Sequence, residues 1–87
     1  MISLDIKNAV EKKFFNNGKL RIEIPYFNGK IHGEMKEYYE NGRLQNIIPF
    51  QNGLPHGSSK AFSLEGQLKH EVKWFMGKII NTLWIDK

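Results

Sequence analysis

The sequence predicts an all-β protein, a single small domain in which about three 24-residue β-hairpin repeats form an antiparallel meander with terminal capping strands. Three observations carry this. Tyr26-Phe27-Asn28-Gly29-Lys30-Ile31-His32-Gly33 returns 24 residues later as Phe50-Gln51-Asn52-Gly53-Leu54-Pro55-His56-Gly57. Gly18, Gly29, Gly42, Gly53, Gly66 and Gly77 are separated alternately by 11 and 13 residues. Between these glycines, apolar and polar residues alternate, as in Leu20-Arg21-Ile22-Glu23-Ile24, which is the period of a half-buried strand.

Each element follows from the repeat. Asn precedes four of the six glycines, at positions 17, 28, 41 and 52, and Asn-Gly between apolar runs is a strong hairpin signal. Two strands per repeat give six or seven in all. Leu20, Leu44 and Leu68 share a column, as do Ile24, Ile48 and Val72, and Tyr26, Phe50 and Trp74. The last set is expected to stack as a buried aromatic column. A three-residue loop with Gly in the left-handed position places Phe14, Tyr38 and Phe62 opposite Leu20, Leu44 and Leu68, an aromatic–Leu pair in every repeat. A two-residue loop fails at Ser63, so the bulged register is chosen. It leaves Lys12, Lys36 and Lys60 on the core side, with their amines snorkelling outward. Pro25 and Pro49 lack the N–H that a ladder needs and belong at a strand margin or bulge. The chain divides into a cap and half-repeat over 1–13, repeats over 14–37 and 38–61, and a third repeat with the C-terminal cap over 62–87. Leu83-Trp84-Ile85 closes that end.

Chemistry is sparse. The chain of 87 residues has no cysteine, which excludes disulfides and thiolate metal sites and fits a reducing compartment. No secretory leader and no apolar run of membrane-spanning length is evident, so a cytoplasmic protein is expected. The net charge of +4 is spread among acids rather than gathered in a run, which reads as a mixed solvated surface. His32 and His56 are two strands apart, about 9–10 Å, too far to share one zinc, and a turn role beside glycine is expected for both. Ser58 and Ser59 near His56 lie on no nucleophile elbow, and the glycines precede no helix that would cradle a phosphate. No enzyme, cofactor or metal is expected.

The aromatic doublets are more informative. In Phe14-Phe15, Tyr26-Phe27, Tyr38-Tyr39 and Trp74-Phe75, adjacent rings face opposite sides of a strand. One ring of each pair supplies the core. The others, Phe15, Phe27, Tyr39 and Phe75 with Ile47, fall on the outer face, edged by Arg21, Arg43 and Lys69. That composition suits a protein-binding surface.

Asn28-Gly29-Lys30-Ile31-His32-Gly33 and its copy at 52–57 resemble the turn of a MORN repeat. Tyr38-Tyr39-Glu40-Asn41-Gly42-Arg43-Leu44 is similar to the bacterial MORN-repeat variant of YwqK-type antitoxin proteins. The resemblance covers residues 14 to 80. It implies a scaffold that contacts proteins or acidic lipids, with a toxin as the protein target. A binding module that occludes its target could equally be a phage-encoded inhibitor of a defence-system component. Leu54-Pro55 departs from the family's usual basic pair, and the third repeat lacks His-Gly. Two further readings stand beside this one: a nucleic-acid or anionic-lipid binder using the basic surface, and a homodimer joined through strand edges.

Overall fold

The computed structural model describes residues 8–84, so Ile85 and the first seven residues of the expected N-terminal cap lie outside it. The described chain is all-β, an antiparallel meander of nine strands: β1 (Val10–Phe14), β2 (Leu20–Phe27), β3 (Lys30–Ile31), β4 (Gly33–Tyr38), β5 (Leu44–Gln51), β6 (Leu54–Pro55), β7 (Gly57–Phe62), β8 (Leu68–Phe75) and β9 (Lys78–Trp84). Strand order across the sheet is β1-β2-β4-β5-β7-β8-β9. The short strand β3 continues into β4 after a break at His32, and β6 into β7 after a break at His56. Seven strand paths therefore cross the sheet, as the repeat requires.

Two kinds of turn alternate along the chain. At the first, the Phe15 N–H donates to the Lys19 carbonyl (2.8 Å) and the Gly18 N–H to the Phe15 carbonyl (2.9 Å). This is a three-residue loop with Gly18 left-handed at φ 87°, and it recurs at Tyr39–Arg43 and Ser63–Gln67. At the second kind, Phe27 pairs directly with Lys30, leaving a two-residue loop in which Asn28 and Gly29 both have positive φ, 52° and 78°. That is a type I′ turn, for which Asn-Gly is the preferred pair. Met76-Gly77 adopts the same conformation, Met76 at φ 48°, where Asn would be less strained.

The register is the bulged one: Phe14 pairs with Leu20, Tyr38 with Leu44 and Phe62 with Leu68. Each hairpin then shifts by one residue, because Lys13 pairs with Ile22, Glu37 with Asn46 and Ala61 with His70. Arg21, Gln45 and Lys69 are the extra residues of these three bulges, and Ile80 is the extra residue of a fourth, between β8 and β9. Paired residues share a face and neighbours along a strand do not, so each bulge exchanges the faces. This corrects the expected placement of the apolar columns. Leu20 lies on the face of Phe14 and Lys12, while Ile22, Ile24 and Tyr26 lie on the other. Lys12, Lys36 and Lys60 are not on the side of Ile22, Ile24 and Ile48.

The sheet is a single layer, the chain's smallest principal extent being 11 Å, and no described residue is fully buried. Tyr26, Phe50 and Trp74 share a face but are only half-buried. Gly33 lies directly across from Phe50, and Gly57 from Trp74. The three rings are thus two strands apart, about 9–10 Å, with a glycine between neighbours. They neither stack nor form a buried column, because no second layer of described residues covers them. Pro25 and Pro49 sit beside the breaks, where His32 and His56 donate their N–H groups to the proline carbonyls at 3.0 Å.

Candidate functional site

The two faces have different chemistry, and both follow from the bulge. One presents Ile22, Ile24, Tyr26, Met35, Ile48, Phe50, Val72 and Trp74 and is termed the isoleucine face. Its polar groups are largely satisfied within the sheet. Trp74 Nε1 donates to Ser59 Oγ at 2.9 Å, Asn46 Nδ2 to Glu37 Oε1 at 3.1 Å, and the Tyr26 hydroxyl to Glu11 Oε1 at 3.0 Å. Donation to that carboxylate, with some desolvation and the nearby negative charge, raises the Tyr26 phenol above its ordinary value of 10.0.

The other, the lysine face, carries a row that crosses all seven strand paths in direct register. It reads Lys12, Glu23, Lys36, Ile47, Lys60, Glu71, Leu83. Opposite charges directly across a strand pair stabilise it by about 0.2–1 kcal/mol each. The sign alternation stops at the centre. Where the first and third repeats place Glu23 and Glu71, the second places Ile47, so Lys36 and Lys60 flank an apolar side chain. Lys36 has an intrastrand neighbour, Glu34, at 4.0 Å, a partly exposed pair that fixes little. Counting every strand position, this face holds Lys12, Lys30, Lys36, Lys60, Lys73 and Lys78 against Glu23, Glu34 and Glu71.

The residues selected from the sequence separate into three groups. Phe27, Ile47 and Phe75 all fall on the lysine face, on β2, β5 and β8, and Phe27 and Phe75 are 49% and 59% exposed. Phe15, Tyr39 and Arg43 belong to the three-residue turns at one end of the strands, so the expected single outer patch is not contiguous. The bulge and the turns displace them from it. The Tyr39 hydroxyl donates to the Phe62 carbonyl at 2.7 Å, and Arg43 Nη1 donates to the Glu65 carbonyl. Both side chains tie one turn to the next. Phe15, Tyr39 and Leu64 line a shallow groove of about 500 Å³ along that edge. Arg21 and Lys69 occupy bulges, the former exposed and the latter half-buried.

The histidines have a structural part that the repeat hinted at and the pairing explains. His32 Nδ1 accepts the Asn52 N–H at 3.3 Å, and His56 Nδ1 accepts the Met76 N–H at 3.1 Å. Each fastens its own hairpin to the type I′ turn of the next. The His32 ring lies 5.6 Å from Phe27 and the His56 ring 5.2 Å from Phe75. Asn8 stands one period before His32 and accepts the Asn28 N–H through Oδ1 at 3.2 Å. The signal was the 24-residue spacing of Asn8, His32 and His56, which the change of residue type at position 8 conceals. Among the described residues no group of three or more His, Asp or Glu is placed to hold a metal ion. No helix among them is long and apolar enough to cross a membrane.

Alternating type I′ and bulged three-residue turns at a fixed period define a β-hairpin repeat protein. More particularly, the chain belongs to the MORN repeat variant family, which matches residues 7–30 and 31–52, more than half of its length. No curated protein and no solved structure matches it significantly.

Proposed function

We propose that the protein is a non-catalytic binding module of the cytoplasm that neutralises or inhibits a protein target, in the manner of an antitoxin or a phage-encoded inhibitor. Its contact surface is the lysine face, and the observation that carries this is Ile47 between Lys36 and Lys60. An apolar centre with a lysine on either side suits an acidic partner that presents an apolar side chain within carboxylates. Phe27 and Phe75 extend the contact with exposed rings of the kind enriched at interface cores.

Ile47→Glu is the discriminating variant. It completes the alternating row, and the fold accepts Glu at this position in the repeats on either side. The target is identified by pull-down from the native host with mass spectrometry, then titrated against wild-type and variant protein. The expected result is an unchanged melt and at least about a tenfold loss of affinity, or roughly 1.4 kcal/mol. Undiminished affinity in a folded variant overturns the reading. The excess of lysine on one face favours a second reading, a nucleic acid or anionic lipid as the ligand. Phosphate binding weakens linearly in log salt, so a steep salt slope with no captured protein selects it.

A further inference from the structure

Among the described residues no second layer covers the isoleucine face. The chain exposes 6251 Å², whereas a folded monomer of 10.2 kDa exposes about 5300 Å². A single layer exposes both of its faces, and a standard protein interface takes about 800 Å² from each partner. A single layer 11 Å thick with no buried residue also lacks the hydrophobic burial that opposes chain entropy. Whatever covers this face must therefore be present whenever the chain folds. A facultative target does not meet that condition, but a second copy of the chain does.

Charge points to the same occupant. The isoleucine face holds Glu11, Lys13 and Glu37, and each is already engaged: Glu11 lies 4.0 Å from Lys13 and accepts from Tyr26, while Glu37 accepts from Asn46. Two such faces meet without opposing large like charges. Two lysine faces, each with twice as many lysines as glutamates, repel one another. We propose that two copies pack isoleucine face to isoleucine face as a β-sandwich, with Ile24, Tyr26, Ile48, Phe50 and Trp74 forming the core that neither copy has alone. The lysine faces then point outward on both sides. This goes beyond the target-binding reading and does not depend on it.

Sedimentation equilibrium of the 87-residue protein tests the stoichiometry, and cysteine cross-linking tests the geometry. The chain has no native cysteine, so single substitutions report cleanly. Ile48 and Ile47 are neighbours on β5, the central strand path, and face opposite sides. With aligned sheets about 10 Å apart, Ile48→Cys is expected to cross-link to a second copy through a short bismaleimide, and Ile47→Cys is not. Ala61→Cys, also on the isoleucine face, replaces Ile48→Cys if that variant does not fold. The expected mass is twice 10.2 kDa. A folded protein of monomer mass across the concentration series overturns the proposal. So does a dimer that cross-links at neither face, as edge pairing would give, or equally at Ile47→Cys. None of these readouts involves the target, so this inference and the lysine-face reading fail separately.

Discussion

The two long edges of the sheet are held together differently. Along the edge of type I′ turns, every junction between hairpins uses the same device. A residue at the Asn8, His32 or His56 position accepts the N–H of the first loop residue of the next turn. At the second and third of these turns the glycine N–H also donates to a carbonyl of the preceding hairpin: Gly53 to Ile31 and Gly77 to Pro55, both at 2.8 Å. Along the edge of three-residue turns only one junction is tied by side chains among the described residues. Tyr39, Asn41 and Arg43 bond the Phe62, Leu64 and Glu65 carbonyls. Phe15, Asn17 and Lys19 hold the same positions one repeat earlier, and no such bond joins them to the second turn among the described residues. Phe15 lacks the hydroxyl, and Lys19 lacks the planar guanidinium fork. Where backbone groups and one recurring side chain make the tie, the sequence is bound to the period. Where variable side chains make it, the edge is free to differ between repeats.

The sharpest way to break the comparison is to add a Cβ on each edge. Gly57, at φ 109°, would place that atom 3.1 Å from Cγ of Pro49, whereas Gly42, at φ 90°, would meet nothing within 4 Å. Gly57→Val combines backbone strain with a steric clash and is expected to cost about 3 kcal/mol or more. Gly42→Val carries strain alone, about 1–2 kcal/mol. Urea midpoints measure both, and equal losses would show that close packing at the type I′ edge does not set it apart.

Removing one tie from each edge is a gentler probe. His56→Ala deletes the acceptor for Met76 and the contact with Phe75. Because the site is largely exposed, water replaces part of the loss, and about 1 kcal/mol is expected. Faster amide exchange at Met76 identifies the broken bond. Tyr39→Phe converts the tied junction of the other edge toward the untied one, at a similar cost of about 1 kcal/mol, and leaves Met76 exchange unaltered. If Tyr39→Phe also speeds exchange at Met76, the edges are coupled through the strands rather than independent.

The smallest effect concerns pH. Because donation to Glu11 raises the Tyr26 phenol, the folded state holds that proton more tightly than the unfolded chain does. The contribution is fully present below the ordinary phenol value and is lost as pH rises through the raised one. Tyr26→Phe removes this dependence. The difference in melting temperature between wild type and variant is expected to be constant near neutrality and to narrow above about pH 10. A difference that widens there would contradict the bond.

Much of this architecture is legible in the residues. Asn28-Gly29 and Asn52-Gly53 mark the turns, and the aromatic–Leu pairs at Phe14, Tyr38 and Phe62 fix the register. The assignment of faces was not legible from alternation alone. Leu20, Ile22 and Ile24 read as one apolar stripe, but Arg21 takes no partner and the stripe changes sides at that point. For the same reason, alternation alone puts Lys12 among the core residues and groups Tyr39 with Phe27. A buried aromatic column was also expected from Tyr26, Phe50 and Trp74. The sequence period places them correctly in one row, but it cannot report that a glycine strand position separates each pair or that no second layer of described residues covers them. Of the candidate contact residues, Phe27, Ile47 and Phe75 remain together on one face, because all three lie beyond the bulge on their strands.

The bulge has a consequence for how this sequence can change. Each long strand is written in two reading frames, and Arg21, Gln45 and Lys69 mark the point where one gives way to the other. Substitution at these positions alters a side chain and leaves the message intact. Deletion of a single residue there would leave one frame running through the whole strand and interleave isoleucines with lysines on both sides. Insertions and losses are tolerated only in whole periods of 24 residues, each lengthening or shortening the sheet by two strands, about 9–10 Å. Such a chain can change its span in fixed steps while both faces keep their chemistry.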